Sequence, residues 1–209
     1  MRTKTLLALG MTLAGSIVES QAPAPPRAPT QTDEYTRYEL LAPETAQFRI
    51  YYEVTAITPG ALYYFNPIRK GSEASDERVF DRMTGKPMKF EEVSGADARA
   101  AGLERADLDT RYIKVTLPRA VPKDGQVRLQ IDKTYKDAKS YYQEGALIVF
   151  SRPLGIKRNS VVLPAGYEIV SCNVPSQILQ EKDGRISISF MNAGPDQASL
   201  VVKGRKVSR

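Results

Sequence analysis

The chain has 209 residues, 42% of them apolar and 26% charged, and a formal net charge of +6. That is the composition of a globular protein long enough for one large domain or two small ones. It contains no His, no Trp and a single Cys, which excludes a Ser-His-Asp triad, a Cys-His pair, an HExxH zinc site, a CxxC redox pair and any intrachain disulfide.

Arg2 and Lys4 precede a largely apolar run over 6–18. A membrane-crossing helix needs about 20 residues, so the run is short for an anchor and fits a secretory signal. Residues 1–20 are read as that signal, with cleavage before Gln21. No Cys stands near the end of the run, which excludes a lipoprotein. The protein is expected to be periplasmic or extracellular, and peripheral to a membrane if attached to one. Residues 23–29 contain four Pro. Pro fixes φ and removes a donor, so residues 21–34 are read as an extended, flexible leader.

From Tyr35 the dominant signal is alternation, the mark of half-buried strands. Phe48, Ile50, Tyr52 and Val54 share one face. Ile113, Val115 and Leu117 share another, as do Val127, Leu129 and Ile131, and then Ile186, Ile188 and Phe190. One wet and one buried face per strand points to antiparallel sheets. Turn chemistry falls between these runs, at Thr84-Gly85-Lys86-Pro87, Pro122-Lys123-Asp124-Gly125, Pro164-Ala165-Gly166 and Lys182-Asp183-Gly184. Ser94-Gly95-Ala96-Asp97 resembles a capping box before a helix-prone stretch over 98–105, weakened by Gly102. The expected fold is an all-β antiparallel sandwich of about eleven strands with one short helix, built over 35–209. It forms either one large unit or two small Ig-like lobes dividing near 136–143.

Candidate chemistry is sparse. Cys172 shares a strand face with apolar neighbours and reads as a buried, inert thiol, since a reactive thiolate needs a nearby cation or imidazole. Asp107 and Asp109 are spaced to share one side of a strand and are the carboxylates on which a hydrolase would depend; Asp132 with Thr134 is a second such spacing. No phosphate-binding Gly loop, GxSxG or SxxK occurs. No cofactor and no metal site is expected.

Three Tyr doublets, at 51–52, 63–64 and 141–142, place adjacent rings on opposite faces of a strand. Exposed Tyr suits protein interfaces. Tyr51, Tyr63, Tyr64, Tyr141 and Tyr142, with Lys136 and Lys139 nearby, are the candidate contact surface. Lys133 is grouped with Lys136 and Lys139 as a basic surface cluster, suited to weak contact with an anionic membrane surface rather than to nucleic acid.

The run from Val127 to Asp137 (VRLQIDKTYKD), set after Arg111-Tyr-Ile-Lys-Val-Thr-Leu-Pro and the hairpin at 79–87, resembles the amino-terminal β-sandwich domains of M1-type aminopeptidases and of transglutaminase-like proteins. The resemblance covers residues 46–140. It implies an accessory sandwich, because the catalytic parts of both families need His. The expected function is therefore that of an exported, non-enzymatic β-sandwich acting through protein contacts, as an accessory or scaffolding subunit of a membrane protein complex. The alternatives are a module binding a lipid or a sugar, and a hydrolase working through carboxylates alone.

Overall fold

The computed structural model describes residues 31–207. The expected signal at 1–20 and the leader as far as residue 30 lie outside the described residues. Residues 31–34, expected in the leader, instead belong to the first strand, β1, which spans Gln31–Leu40. Its polar start carries no hydrophobic alternation; pairing with the next strand, Gln31 against Ala56, orders it.

With β1 the described residues form fourteen strands, three more than the turn signals imply. The others are β2 (Gln47–Ala56), β3 (Tyr63–Pro67), β4 (Glu73–Asp81), β5 (Phe90–Ser94), β6 (Arg111–Thr116), β7 (Val127–Lys136) and β8 (Tyr141–Glu144). Then come β9 (Leu147–Leu154), β10 (Arg158–Val162), β11 (Tyr167–Cys172), β12 (Gln177–Gln180), β13 (Ile186–Met191) and β14 (Ala198–Lys206). They form an all-β sandwich of three sheets. A seven-stranded sheet runs β12-β13-β10-β1-β2-β7-β4, a four-stranded sheet β11-β14-β9-β8, and a three-stranded sheet β3-β6-β5. All pairings are antiparallel except β1 with β10, which is parallel.

The alternation read from the sequence is the burial seen. Phe48, Ile50, Tyr52 and Val54 are buried, as are Ile113, Val115, Leu117, Val127, Leu129 and Ile131. Phe150 of β9 meets Tyr38 of β1 and Phe48 of β2 at ring-centroid distances of 5.4 and 5.3 Å, which seats the four-stranded sheet on the large one. The main apolar core draws on both halves of the chain, and a small second cluster of Ala98, Ala106 and Tyr112 packs beside α1.

Two local expectations are corrected. The helix, α1, spans Gly95–Ala100 and ends within the stretch over 98–105 assigned to it, because Gly102 turns the chain at φ 107°. Its cap is as read: Ser94 Oγ accepts from the Asp97 amide at 3.1 Å and donates to the Asp97 carboxylate at 2.7 Å. The turn at 84–87 closes only a short hairpin, the Phe80/Pro87 bridge flanked by hydrogen bonds from the Asp81 amide to the Lys86 carbonyl and from the Met88 amide to the Val79 carbonyl; β4 then pairs with β7, while β5 moves to the small sheet with β6.

Candidate functional site

On β7 the side chains of Val127, Leu129, Ile131 and Tyr135 point into the core, and the strand's two-residue period gives Lys133 the same face. Lys133 is 6% exposed, so it does not belong to the surface cluster with Lys136 and Lys139. Its Nζ donates to Asn66 Oδ1 at 2.5 Å and stands 4.8 Å from the Tyr135 ring centroid. No carboxylate among the described residues forms an ion pair with it. Burial, reinforced by the Arg152 charge, pulls its pKa down to about 7.

Arg152 breaks the apolar face of β9 in the same way. Its Nη1 donates to Asp137 at 3.1 Å, and its guanidinium packs 5.4 and 5.5 Å from the Phe48 and Tyr135 ring centroids. Burial lowers its pKa. Asp137 is well satisfied, accepting also from Ser72 and Ser140. Burial pushes its carboxyl upward, but those hydrogen bonds and Arg152 hold it below the usual range.

Lys133 and Arg152 line a cavity of about 230 Å³ where the large sheet meets β3 and β9. Its floor carries Lys133, Arg152 and the Tyr52 and Tyr64 hydroxyls, which lie 3.3 Å apart. Tyr52 also donates to Glu34 at 2.7 Å. Thr36 is 2% exposed, and its Oγ has no hydrogen-bond partner within bonding distance. The mouth is formed by the partly exposed Glu34, Arg69 and Ile156 and the exposed Pro67. A lipid would need a continuous apolar cavity, and this one is lined with charge. A larger concavity of about 470 Å³ lies against Arg49, Tyr51, Arg78 and Asp132; it mixes both signs of charge with no excess of either aimed inward.

The expected contact surface is only partly exposed. Tyr64 and Tyr141 are buried, at 8% and 0%, and are withdrawn from it. Tyr64 faces the cavity, and the Tyr141 hydroxyl donates to the Leu41 carbonyl. Tyr51, Tyr63 and Tyr142 sit on β2, β3 and β8, in three different sheets, so they do not share one sheet face. Tyr63 is covered by the Lys114 ammonium, 4.5 Å from its ring centroid. Lys136 and Lys139 are exposed.

Asp107 and Asp109 lie on the loop between α1 and β6 rather than on a strand. Asp107 accepts from the Asp109 amide and from Thr110, and pairs with Lys70 at 3.0 Å. They form an exposed turn and no cleft. Asp132, buried on β7, accepts from Gln130. Cys172 is half-buried rather than buried, with Sγ 3.3 Å from Ser176 Oγ. Sequence reasoning missed Lys133 and Arg152, although the two-residue period was enough to place both inward.

No family model and no curated protein matches the chain. Among solved structures it is similar to the M1 zinc metallopeptidase of Deinococcus radiodurans, at 11% identity and a TM-score of 0.52, over 82% of this chain and 41% of that one. A variant of that enzyme bound to a Tyr-Ser-Ala substrate gives 12% identity and a TM-score of 0.51 with the same coverage. This is a likeness of fold, and the chain spans about two fifths of the metallopeptidase. The resemblance read from 46–140 therefore holds at the level of architecture and extends well beyond that stretch.

Proposed function

We propose that the chain is an exported, non-catalytic accessory β-sandwich, docking an extended segment of a partner protein along the free edge of β12. The coarse part rests on the fold shared with part of an M1 metallopeptidase, in a chain whose lack of His leaves it without that family's zinc-binding motif. The docking part rests on the edge itself. An exposed strand edge is a template for another strand, and proteins usually blunt it with charge, Pro or bulges. The outer strands β4, β5, β8 and β11 all carry charged residues, β4 adds an irregular register at Ser75/Arg78, and β3 ends in Pro67. In contrast, β12 reads Gln-Ile-Leu-Gln; Ile178 and Leu179 are 50% and 51% exposed.

The β12–β13 hairpin is also held in place. Arg37 of β1 donates to both oxygens of Glu181, at 2.6 and 2.8 Å, just beyond the end of β12. Such an edge offers backbone hydrogen bonds to an added strand and an apolar contact on each face, the β-augmentation mode of recognition.

A photoreactive side chain at position 178 of the full chain, in its native cells, is expected to yield one discrete adduct. The same probe at position 86 is expected to yield none, and Leu179→Lys to remove the adduct. A chain that stays monomeric and gives no adduct from 178 overturns the docking reading. A mature protein starting at Gln21, by mass spectrometry, is the expected sign of export; an intact Met1 in the folded protein overturns that part.

A further inference from the structure

We propose that the cavity between the large sheet, β3 and β9 is a binding site for a small oxyanion, a free carboxylate or phosphate group, held by Lys133 with Thr36 and Arg152. The carrying observation is an ammonium on the core face of β7 that has one hydrogen bond, to Asn66, and no carboxylate partner. A buried charge is usually paired, and an ammonium has three donors to satisfy. Thr36 adds a second weakly satisfied polar group in the same cavity: among the described residues its buried hydroxyl has no partner within bonding distance, and only the Tyr38 hydroxyl interacts with it from farther off. Arg152 spends Nη1 on Asp137 and Ser140, and its remaining nitrogens have no acceptor among the described residues.

The charge balance favours an anion. Lys133, Arg152 and Arg69 face the space from β7, β9 and the segment after β3, against the single lining carboxylate Glu34 of β1. Asp137 is already committed to Arg152. Glu77 of β4 acts on Lys133 only at a distance, and the surrounding Tyr38, Tyr52, Tyr64 and Tyr135 hydroxyls are neutral at physiological pH. At about 230 Å³ the cavity admits a compact ligand only. Glu34 at the mouth, already receiving the Tyr52 hydroxyl, leaves the anion the deeper position beside Lys133.

Because a bound anion favours the protonated amine, affinity falls as Lys133 loses its proton, by about tenfold per pH unit once the pH exceeds the free-state pKa. The test is calorimetric titration of the whole protein with acetate and, separately, with inorganic phosphate, at pH 6 and at pH 8. Saturable binding of either anion is expected, weaker at pH 8, abolished in Lys133→Met and weakened in Thr36→Val, with Lys136→Met unchanged. The arm that saturates identifies the oxyanion as carboxylate or phosphate. Saturation by neither, or equal binding by wild type and a folded Lys133→Met, overturns the site. If Lys133→Met does not fold, unaltered binding in Thr36→Val together with a pH-independent affinity overturns it.

Discussion

Lys133 occupies the place on β7 where an apolar residue would continue the row of Val127, Leu129 and Ile131. Its folded-state pKa is about 7, below the ordinary 10.5 of a lysine. Between those values the unfolded chain binds the proton and the folded one does not, so stability rises with pH across that window. Below pH 7 the amine is charged in both states, and the full cost of burying it remains. Lys133→Met removes that cost with nearly the same volume, and replacing a buried charge by a hydrophobe is often neutral or stabilising. Urea denaturation is expected to find the variant at least as stable as wild type at pH 6, with the difference shrinking towards pH 10. A loss of several kcal/mol at pH 6 would show that Lys133 is held by interactions that offset its burial.

Asp137 is the opposite case. Its carboxylate is the counter-charge of buried Arg152, and breaking a buried pair from one side costs about 3–5 kcal/mol. Asp137→Ala is expected to lower stability by that amount at pH 7, read from the denaturation midpoint. Because the folded-state pKa of Asp137 is depressed, its contribution is present above the unfolded carboxylate range and fades as pH falls through the lower folded value. The gap between variant and wild type should therefore narrow in acid.

At the scale of elements, strands with a strict two-residue period were legible because one face of each meets the core. β2, β6, β7 and β13 were found on this pattern alone. The hairpin from β12 to β13 was found from Asp183-Gly184, which the turn needs because Gly184 has φ 82°. The start of β1 was not legible, since Gln31–Glu34 is polar and follows a Pro-rich stretch; its order comes from long-range pairing. Nor was the destination of β5, because a turn signal says that the chain reverses and not which sheet receives it. Lys133, expected in the basic surface cluster, and Arg152 occupy inward positions of the two-residue period, so their charge is no guide to exposure.

The short helix allows a sharper check. Gly95 opens α1 against the Asp107 carbonyl, and a Cβ at this position would collide with that backbone oxygen. The same loop backbone donates to the Tyr112 hydroxyl, from the Asp107 amide at 2.9 Å. Gly95→Ala is therefore expected to displace the loop from Tyr112 and to destabilise the protein more than Ser94→Ala, which removes a cap worth about 1 kcal/mol. Thermal melts of the two variants side by side decide it; equal melting temperatures would mean that the loop yields freely.

For the whole molecule, the question left open by the sequence is one unit or two lobes, with the division near 136–143. β1 is central to the answer. It pairs with β2 from its own half and with β10 from the other, Tyr38 standing against Ile50 on one side and Val161 on the other. Phe150, from beyond the division, fills the space between Tyr38 and Phe48. A fragment ending at residue 140 would thus leave β1 with an open edge and the inner face of β1 and β2 without its covering sheet. Exposing a large apolar face costs about 25 cal/mol per Å², and the net stability of a domain is only about 5–15 kcal/mol. Residues 31–140 alone are expected to show no cooperative melting by circular dichroism, while residues 31–209 unfold in a single transition. A cooperative transition in the shorter fragment would establish two lobes, and would mean that the cavity around Lys133 is bounded by two units able to fold independently.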